Sequence, residues 1–291
     1  MKDWSSMFDY LKFIYYLLRP KVRFIRRTSD AMGDNLLLSV SLQGLRQKYP
    51  KHRIIIESKW KDLFINNPNV DWVTKYHIST TSRHLLPKYK IVKDTTFSIY
   101  QQISSYVSKD RIFYPEMFLK KEEIQNAQKK YSFPYISICP QGKSTFSANR
   151  KEWGFDKFQQ LRNYFPTIKF VQIGSKTDKL LNNTLDARGL KIRESASIIK
   201  NSLFFIGLEG GLMHLAKAVE KRSVIIYGGF ILPEISQYEE NLNIVNLVDC
   251  SPCFSSEEPH LDCLNKKCMN KISAEFVFEE IKKSFELELK F

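Results

Sequence analysis

Glu209-Gly210-Gly211 joins an apolar run, SLFFIG, to the helical pattern GLMHLAKAV. The chain has only 11 glycines in 291 residues, so the pairing of two of them beside an acid calls for a reason. Glycines at a helix start leave backbone N–H groups open to a ligand, and the helix dipole favours an anion such as phosphate there. Gly210 and Gly211 would let the ligand approach closely, with Leu212 next in the first turn. Glu209 would repel a bare phosphate and suits the hydroxyls of a sugar or ribose beside it. A tight strand-to-helix turn is the plainer reading. His214, one turn inside, reads as a structural hydrogen-bonding residue. No second histidine stands at ligand spacing from it, which argues against catalytic zinc.

Three other stretches carry chemistry. In AMGDNLLLSVSLQGLRQKYP, Gly33 offers backbone freedom and Asp34 follows it. Asp34 is either an N-cap or a carboxylate at the carboxyl end of a strand, where open α/β sheets bind ligands. In the second role it could take a proton from an acceptor hydroxyl. PQGKSTFSANRKEWGF offers Gly142, Ser144, Thr145, Ser147, Arg150 and Lys151. Hydroxyls, flexible backbone and cations suit phosphate oxygens, although a solvated basic loop has the same composition. Trp153 is expected to pack beneath that loop in either case. Finally, Cys250, Cys253, Cys263 and Cys268 form C-x2-C-x9-C-x4-C. Such clustering suggests a structural zinc or iron held by thiolates, with free thiols and disulfides as the other readings.

The elements needed to position these residues are legible as alternating periods. VRFIRR and HRIIIES read as strands around the helical LLLSVSLQGLRQKYP, and a short helix, KWKDLFINNP, leads to the strand-like VDWVTKY. The pattern blurs from about residue 84 to 118. A polar helix, KKEEIQNAQKKYSF, precedes a second alternation: YISICP, FDKFQQLRNYF, IKFVQIG, a strand-like LKIRE, the helical ASIIKNS, LFFIG and SVIIYGG. This β-loop-α-β order predicts parallel sheets with helices on their faces. It gives an N-terminal helix over 1–20, one domain over 21–128, and a second over 129–291 that contains the Cys-rich segment 250–268.

Composition narrows the class. The chain is 43% hydrophobic and 26% charged, as in ordinary globular proteins. Its formal charge of +14 favours anionic partners: nucleic acid, acidic lipid or phosphorylated substrates. No apolar run approaches the roughly 20 residues of a membrane span. Lys2, Asp3, Asp9 and Lys12 interrupt any signal-peptide profile, so a cytoplasmic location is expected. Trp4, Met7, Phe8, Leu11, Ile14, Tyr15 and Leu18 recur at helical spacing, followed at once by five cations. That helix either packs on its own domain or lies on an anionic membrane surface.

Taken in order, MGDNLLLSVSLQGLRQKYP, CPQGKS with RKEW, GLEGGLMHLAKAV with VIIYGG, and the cysteine segment resemble the glycosyltransferase family of the ADP-heptose:lipopolysaccharide heptosyltransferases. The resemblance covers about residues 22 to 282. It implies the GT-B fold, an α/β architecture of two Rossmann-like doubly wound domains facing a central cleft. It also implies inverting transfer of a sugar, heptose by default, from a nucleotide-diphosphate donor to a cell-surface glycan or lipid-linked acceptor, with no catalytic metal. On this resemblance Asp34 is the base, and Lys151 neutralises the diphosphate with Ser144 and Thr145 nearby. Gly210, Gly211 and Leu212 hold the phosphates, and Asp178 falls near the acid that contacts ribose. Gly33 and His214 support these groups. Where the family commonly has Asp-Thr-Gly, this chain has Glu209-Gly210-Gly211, and Gln-Gly-Lys-Ser replaces a Gly-Ala-Ser type of loop. The rival readings are a GT-B sugar-nucleotide epimerase or hydrolase and a noncatalytic nucleic-acid binder. The second is disfavoured by scattered cations and the lack of a stacking motif.

Overall fold

The structure, a computed structural model, describes residues 4–78, 83–91, 97–142, 147–254 and 262–289. It divides into two compact units, residues 1–89 with 99–118, and residues 90–98 with 119–291.

In the first unit, helix α1 (Trp4–Leu17) precedes strand β1 (Val22–Ile25), helix α2 (Met32–Leu37), a 3-10 turn (Leu38–Ser41) and helix α3 (Leu42–Lys48). Strands β2 (Arg53–Glu57), β3 (Trp72–Thr74) and β4 (His84–Leu85) follow, then helix α4 (Ile99–Ser104). All four strands are parallel, in the order β3-β2-β1-β4. Their β-branched runs fill a buried sheet, with Phe24, Ile25, Ile54, Ile55 and Ile56 inaccessible to solvent. The segment expected as one helix from Leu36 starts earlier, at Met32, and passes through the 3-10 turn. KWKDLFINNP forms only a 3-10 turn, Lys61–Phe64.

The second unit opens with helix α5 (Lys121–Lys130), then β5 (Tyr135–Ile138), α6 (Phe155–Asn163), β6 (Lys169–Gln172) and β7 (Leu185–Asp186). It continues with α7 (Ile192–Asn201), β8 (Phe205–Leu208), α8 (Gly211–Ala218) and β9 (Ser223–Ile226). The last elements are α9 (Pro233–Ser236), β10 (Leu242–Ile244), α10 (Lys267–Asn270) and α11 (Ala274–Ser284). The six strands are parallel in the order β10-β9-β8-β5-β6-β7, so the order reverses between β8 and β5. In open α/β sheets that reversal opens a crevice at the carboxyl ends of the strands. LKIRE, expected as a strand, instead starts α7. Its Glu194 carboxylate accepts the Lys191 N–H at 3.1 Å, a side-chain cap on the helix start that the alternating apolar pattern concealed.

The units divide at Phe118/Leu119, ahead of the boundary at 128 expected from the sequence. Helix α5 packs on α7, where Arg193 donates from Nε and Nη2 to both Glu123 carboxylate oxygens at 2.6 Å. Asn201 adds a bond to the Ile124 carbonyl. No helix among the described residues is long and apolar enough to cross a membrane.

Trp153 ties the loop after β5 to the core of the second unit. It is 2% exposed, meets Phe158 edge to face at 4.8 Å, and donates its indole N–H to the Ile272 carbonyl at 2.9 Å. Trp153→Ala removes a large buried ring and leaves that carbonyl unpaired. It is expected to cost about 3–5 kcal/mol, read as a lower denaturant midpoint with an unchanged slope.

Candidate active site

Two sets of polar groups stand at the carboxyl ends of the parallel strands, one in each unit. In the first, the chain leaves β1 and turns into α2, placing Asp34 in the first helical turn. Ala31 is the N-cap and makes no side-chain capping bond, so Asp34 does not act as the cap. Two hydroxyls hold its carboxylate instead. Tyr89 donates to Oδ1 at 2.7 Å, and Ser29 makes a short bond to Oδ2. Asn35 stiffens the turn by donating to the carbonyls of Ser29 (3.0 Å) and Ala31 (2.8 Å), and it accepts from the Ser58 hydroxyl at 2.7 Å. Asp34 itself is half-buried. The result is an oriented carboxylate, accessible to solvent, with one lobe fixed on each hydroxyl. Gly33 lies inside α2 with ordinary helical backbone, so the special conformation expected there is not used.

In the second unit, Lys151 on the loop after β5 pairs with Glu209, the first residue after β8. These strands flank the reversal of the sheet order. The side chains are 17% and 6% exposed. Burial pushes the Glu209 carboxyl up, but the charge and hydrogen bond of Lys151 outweigh it, with help from His214 and the Ser236 hydroxyl. The net result is a carboxyl held below its usual value of 4.5. Ser236 donates to Glu209 Oε1 at 3.3 Å and lies 3.2 Å from the Tyr227 hydroxyl. The Lys151 ammonium sits 5.1 Å over the Phe230 ring, a cation–π contact that adds to its orientation.

Gly210 follows with φ 145° and ψ −160°, a backbone that side-chain-bearing residues rarely adopt, and a Cβ there would meet nothing within 4 Å. It caps α8, whose first turn brings Gly211 and Leu212, both half-buried, beside the ion pair. First-turn N–H groups have no partner within the helix. His214 is buried, with Nδ1 2.9 Å from the Tyr238 hydroxyl, a hydrogen bond between α8 and the segment that follows α9.

The remaining expected residues fare differently. Ser144 and Thr145 lie outside the described residues. Asp178, after β6, folds back on its own loop and accepts from the Ser175 N–H at 2.9 Å. Burial raises its carboxyl above the usual range despite that bond and the charge of Arg188.

The four clustered cysteines do not assemble as the spacing suggested. All are free thiols, and no group of three or more His, Cys, Asp or Glu side chains among the described residues is placed to hold a metal ion. Cys250 is exposed, Cys268 is buried against the core, and Cys263 Sγ accepts the Lys266 N–H at 3.2 Å. Burial raises the Cys253 thiol, opposed by Arg150 and reinforced by the other three cysteines, so the four thiols share one neighbourhood. The segment has a different visible task. Asn149 donates to the Cys263 carbonyl (3.2 Å) and accepts from its N–H (2.8 Å), while Arg150 donates to the Cys253 carbonyl at 3.0 Å. These bonds pin the loop that carries Lys151.

Two parallel sheets with helices between their strands fit the two Rossmann-like domains of the GT-B fold. The sequence model of glycosyltransferase family 9 (heptosyltransferase) matches residues 78–263. The chain belongs to this family and is a glycosyltransferase. Its fold is similar to that of a family 9 glycosyltransferase from Veillonella parvula, with 15% identity and a TM-score of 0.71 over 93% of this chain and 98% of that one. E. coli ADP-heptose lps heptosyltransferase II gives 14% identity and 0.67, over 91% and 99%. The iron-containing dodecameric glycosyltransferase TibC from enterotoxigenic E. coli gives 18% and 0.72, over 92% and 76%, and TibC has also been solved in complex with ADP-D-beta-D-heptose. No curated protein matches the chain.

Removing one member of a buried ion pair strands the other. Lys151→Met is expected to destabilise the protein by about 3–5 kcal/mol, and adding Glu209→Gln to recover most of that loss. Because the folded-state value of Glu209 is depressed, the pair stabilises fully above the usual carboxyl range and fades as pH falls through the folded value. Denaturant midpoints on acidification should therefore drop more for the natural chain than for the double variant.

Proposed function

We propose that the chain is an inverting glycosyltransferase that uses a nucleotide-diphosphate sugar, with ADP-heptose the first donor to test. The acceptor is a hydroxyl of a cell-surface glycan or its lipid-linked precursor. The observation that carries this reading is the Lys151–Glu209 pair at the reversal of the second sheet, directly beside the Gly210–Gly211 helix start. The Lys151 ammonium brings positive charge and N–H donors to this point, the chemistry that phosphate oxygens need. Helix N–H groups at Gly211 and Leu212 supply the rest of an anion seat. Glu209, already neutralised by Lys151, faces sugar hydroxyls without opposing the diphosphate as a bare carboxylate would.

In this mechanism Asp34 accepts the proton of the acceptor hydroxyl. The acceptor oxygen then bonds to the anomeric carbon as the bond from that carbon to the diphosphate oxygen breaks, and the electron pair leaves with the nucleoside diphosphate. Configuration inverts because attack and departure are on opposite faces. Tyr89 and Ser29 aim the carboxylate, and the developing charge on the leaving group is met by Lys151 and the α8 N-terminus. The cations do this without a metal ion. We place the enzyme in the cytoplasm at the inner face of the membrane, where such acceptors are built.

The test is nucleoside diphosphate release from a panel of nucleotide sugars, with and without acceptor glycans. Release only when acceptor is present supports transfer. Release without acceptor supports the sugar-nucleotide hydrolase reading, and conversion of the sugar without release supports the epimerase reading. Asp34→Asn should lower kcat by about 10²–10⁴-fold while donor affinity, read by calorimetry, stays within a few-fold. Exhaustive chelation should leave turnover unchanged, and a loss restored by a divalent cation would defeat the metal-independent mechanism.

A further inference from the structure

Helix α1 is apolar on both sides, yet its own domain covers only one. Phe13, with Tyr16 and Leu17, packs against Trp72 and Tyr76 beside strands β1 and β2. On the opposite side Met7, Leu11, Ile14 and Leu18 fall in a narrow arc at helical spacing, flanked by Phe8 and Tyr15. All six are exposed, reaching 66% at Phe8 and 79% at Leu18. A contiguous stripe of this kind marks an interaction surface.

The charges around the stripe define its partner. From Tyr10 to Lys21, the helix and the turn that follows it, the chain carries Lys12, Arg19 and Lys21 and no acid. The Arg19 guanidinium stacks 4.5 Å over Tyr15, at the end of the stripe, and Arg19 and Lys21 are exposed. Arg83 donates to the carbonyls of Leu17 and Arg19, fixing that end of the helix to the domain. Asp9 falls on the side away from the stripe by helical spacing. A second copy laid on this face would bring two cationic rims together with no acid on the stripe to meet them.

We infer that the outer face of α1 is a docking surface for an anionic lipid bilayer. Phe8, Leu11 and Leu18 enter the boundary between headgroups and acyl chains, and Arg19 and Lys21 meet headgroup phosphates. The inference rests on the proposed membrane-face location and not on the identity of donor or acceptor.

The full chain is sedimented with vesicles of phosphatidylcholine, alone or mixed with about one-third phosphatidylglycerol, the mixed vesicles being expected to bind at least about tenfold more tightly. Leu11→Asp with Leu18→Asp should abolish binding to the anionic vesicles, and Arg19→Gln with Lys21→Gln should weaken it about tenfold. Both pairs should keep the thermal midpoint and the transfer rate to a soluble acceptor. Binding that survives the aspartates, or that is equal on neutral vesicles, overturns the inference. So does a lipid-free dimer that the aspartates dissolve, which would assign the face to a second copy. Vesicle binding in a chain that transfers no sugar would overturn the proposed reaction and leave this surface standing.

Discussion

Lys151 is the main group that holds a carboxyl as buried as Glu209 below its ordinary value, with His214 and the Ser236 hydroxyl adding to it. Burial alone would drive the proton on, and the lysine's charge and hydrogen bond reverse that. Such a pair is only as good as its geometry, since removing either partner leaves a charge in a low-dielectric setting. Lys151 must therefore be held still, and much of the second unit contributes to holding it. Trp153 anchors the following turn in the core, Asn149 and Cys263 exchange two hydrogen bonds, and Arg150 is fixed to the Cys253 carbonyl. The segment that reads as a metal motif is, among its described residues, a brace for this loop.

The first unit orients its carboxylate by a different rule. Asp34 is half-buried and needs no counter-charge, so neutral donors suffice: the Tyr89 and Ser29 hydroxyls fix its two oxygens. Cations nearby are diverted to other acids. Arg27 and Lys59 pair with Asp30, and Arg27 also donates to the buried Glu57 at 3.0 Å. The two units thus hold their acids by different means, hydroxyls for Asp34 and an ammonium for Glu209.

Strands were the easiest elements to read, because a parallel sheet buried on both faces demands unbroken β-branched runs such as RIIIE and SVII. LKIRE misled because five residues satisfy a period of two as well as they satisfy a helix start; the deciding contact, the Lys191 N–H donating to the Glu194 carboxylate, exists only once the turn has formed. Lys151 and Glu209 were both legible as chemistry, one from a basic loop and one from a glycine-flanked acid. Their pairing was not, since it depends on β5 and β8 being neighbours in the sheet. Tyr89 was out of reach altogether. It comes 55 positions after Asp34, in a stretch without periodic signal, and only the return of the chain along β4 explains its arrival. The cysteine spacing suggested a ligand set, and no group of three or more ligands is placed for one among the described residues.

The departure from the common Asp-Thr-Gly pattern can be understood as one change with two parts. At φ 145° the middle position has a backbone that a threonine would adopt only under strain, so Gly210 is tied to this path into α8. That path leaves the acid at the tip of β8, close to the sheet and largely out of solvent. Glutamate has one more methylene than aspartate, giving its carboxylate a longer reach toward Lys151 and the Ser236 hydroxyl. The glycine that frees the backbone also removes a threonine hydroxyl from the helix start, leaving the N–H groups of Gly211 and Leu212 as the polar lining there. A donor sugar at this site would therefore meet a longer, lysine-paired carboxylate and a more open helix start than the common pattern provides. Under the proposed donor assignment, selectivity between nucleotide sugars turns on hydroxyl contacts to Glu209 more than on the diphosphate.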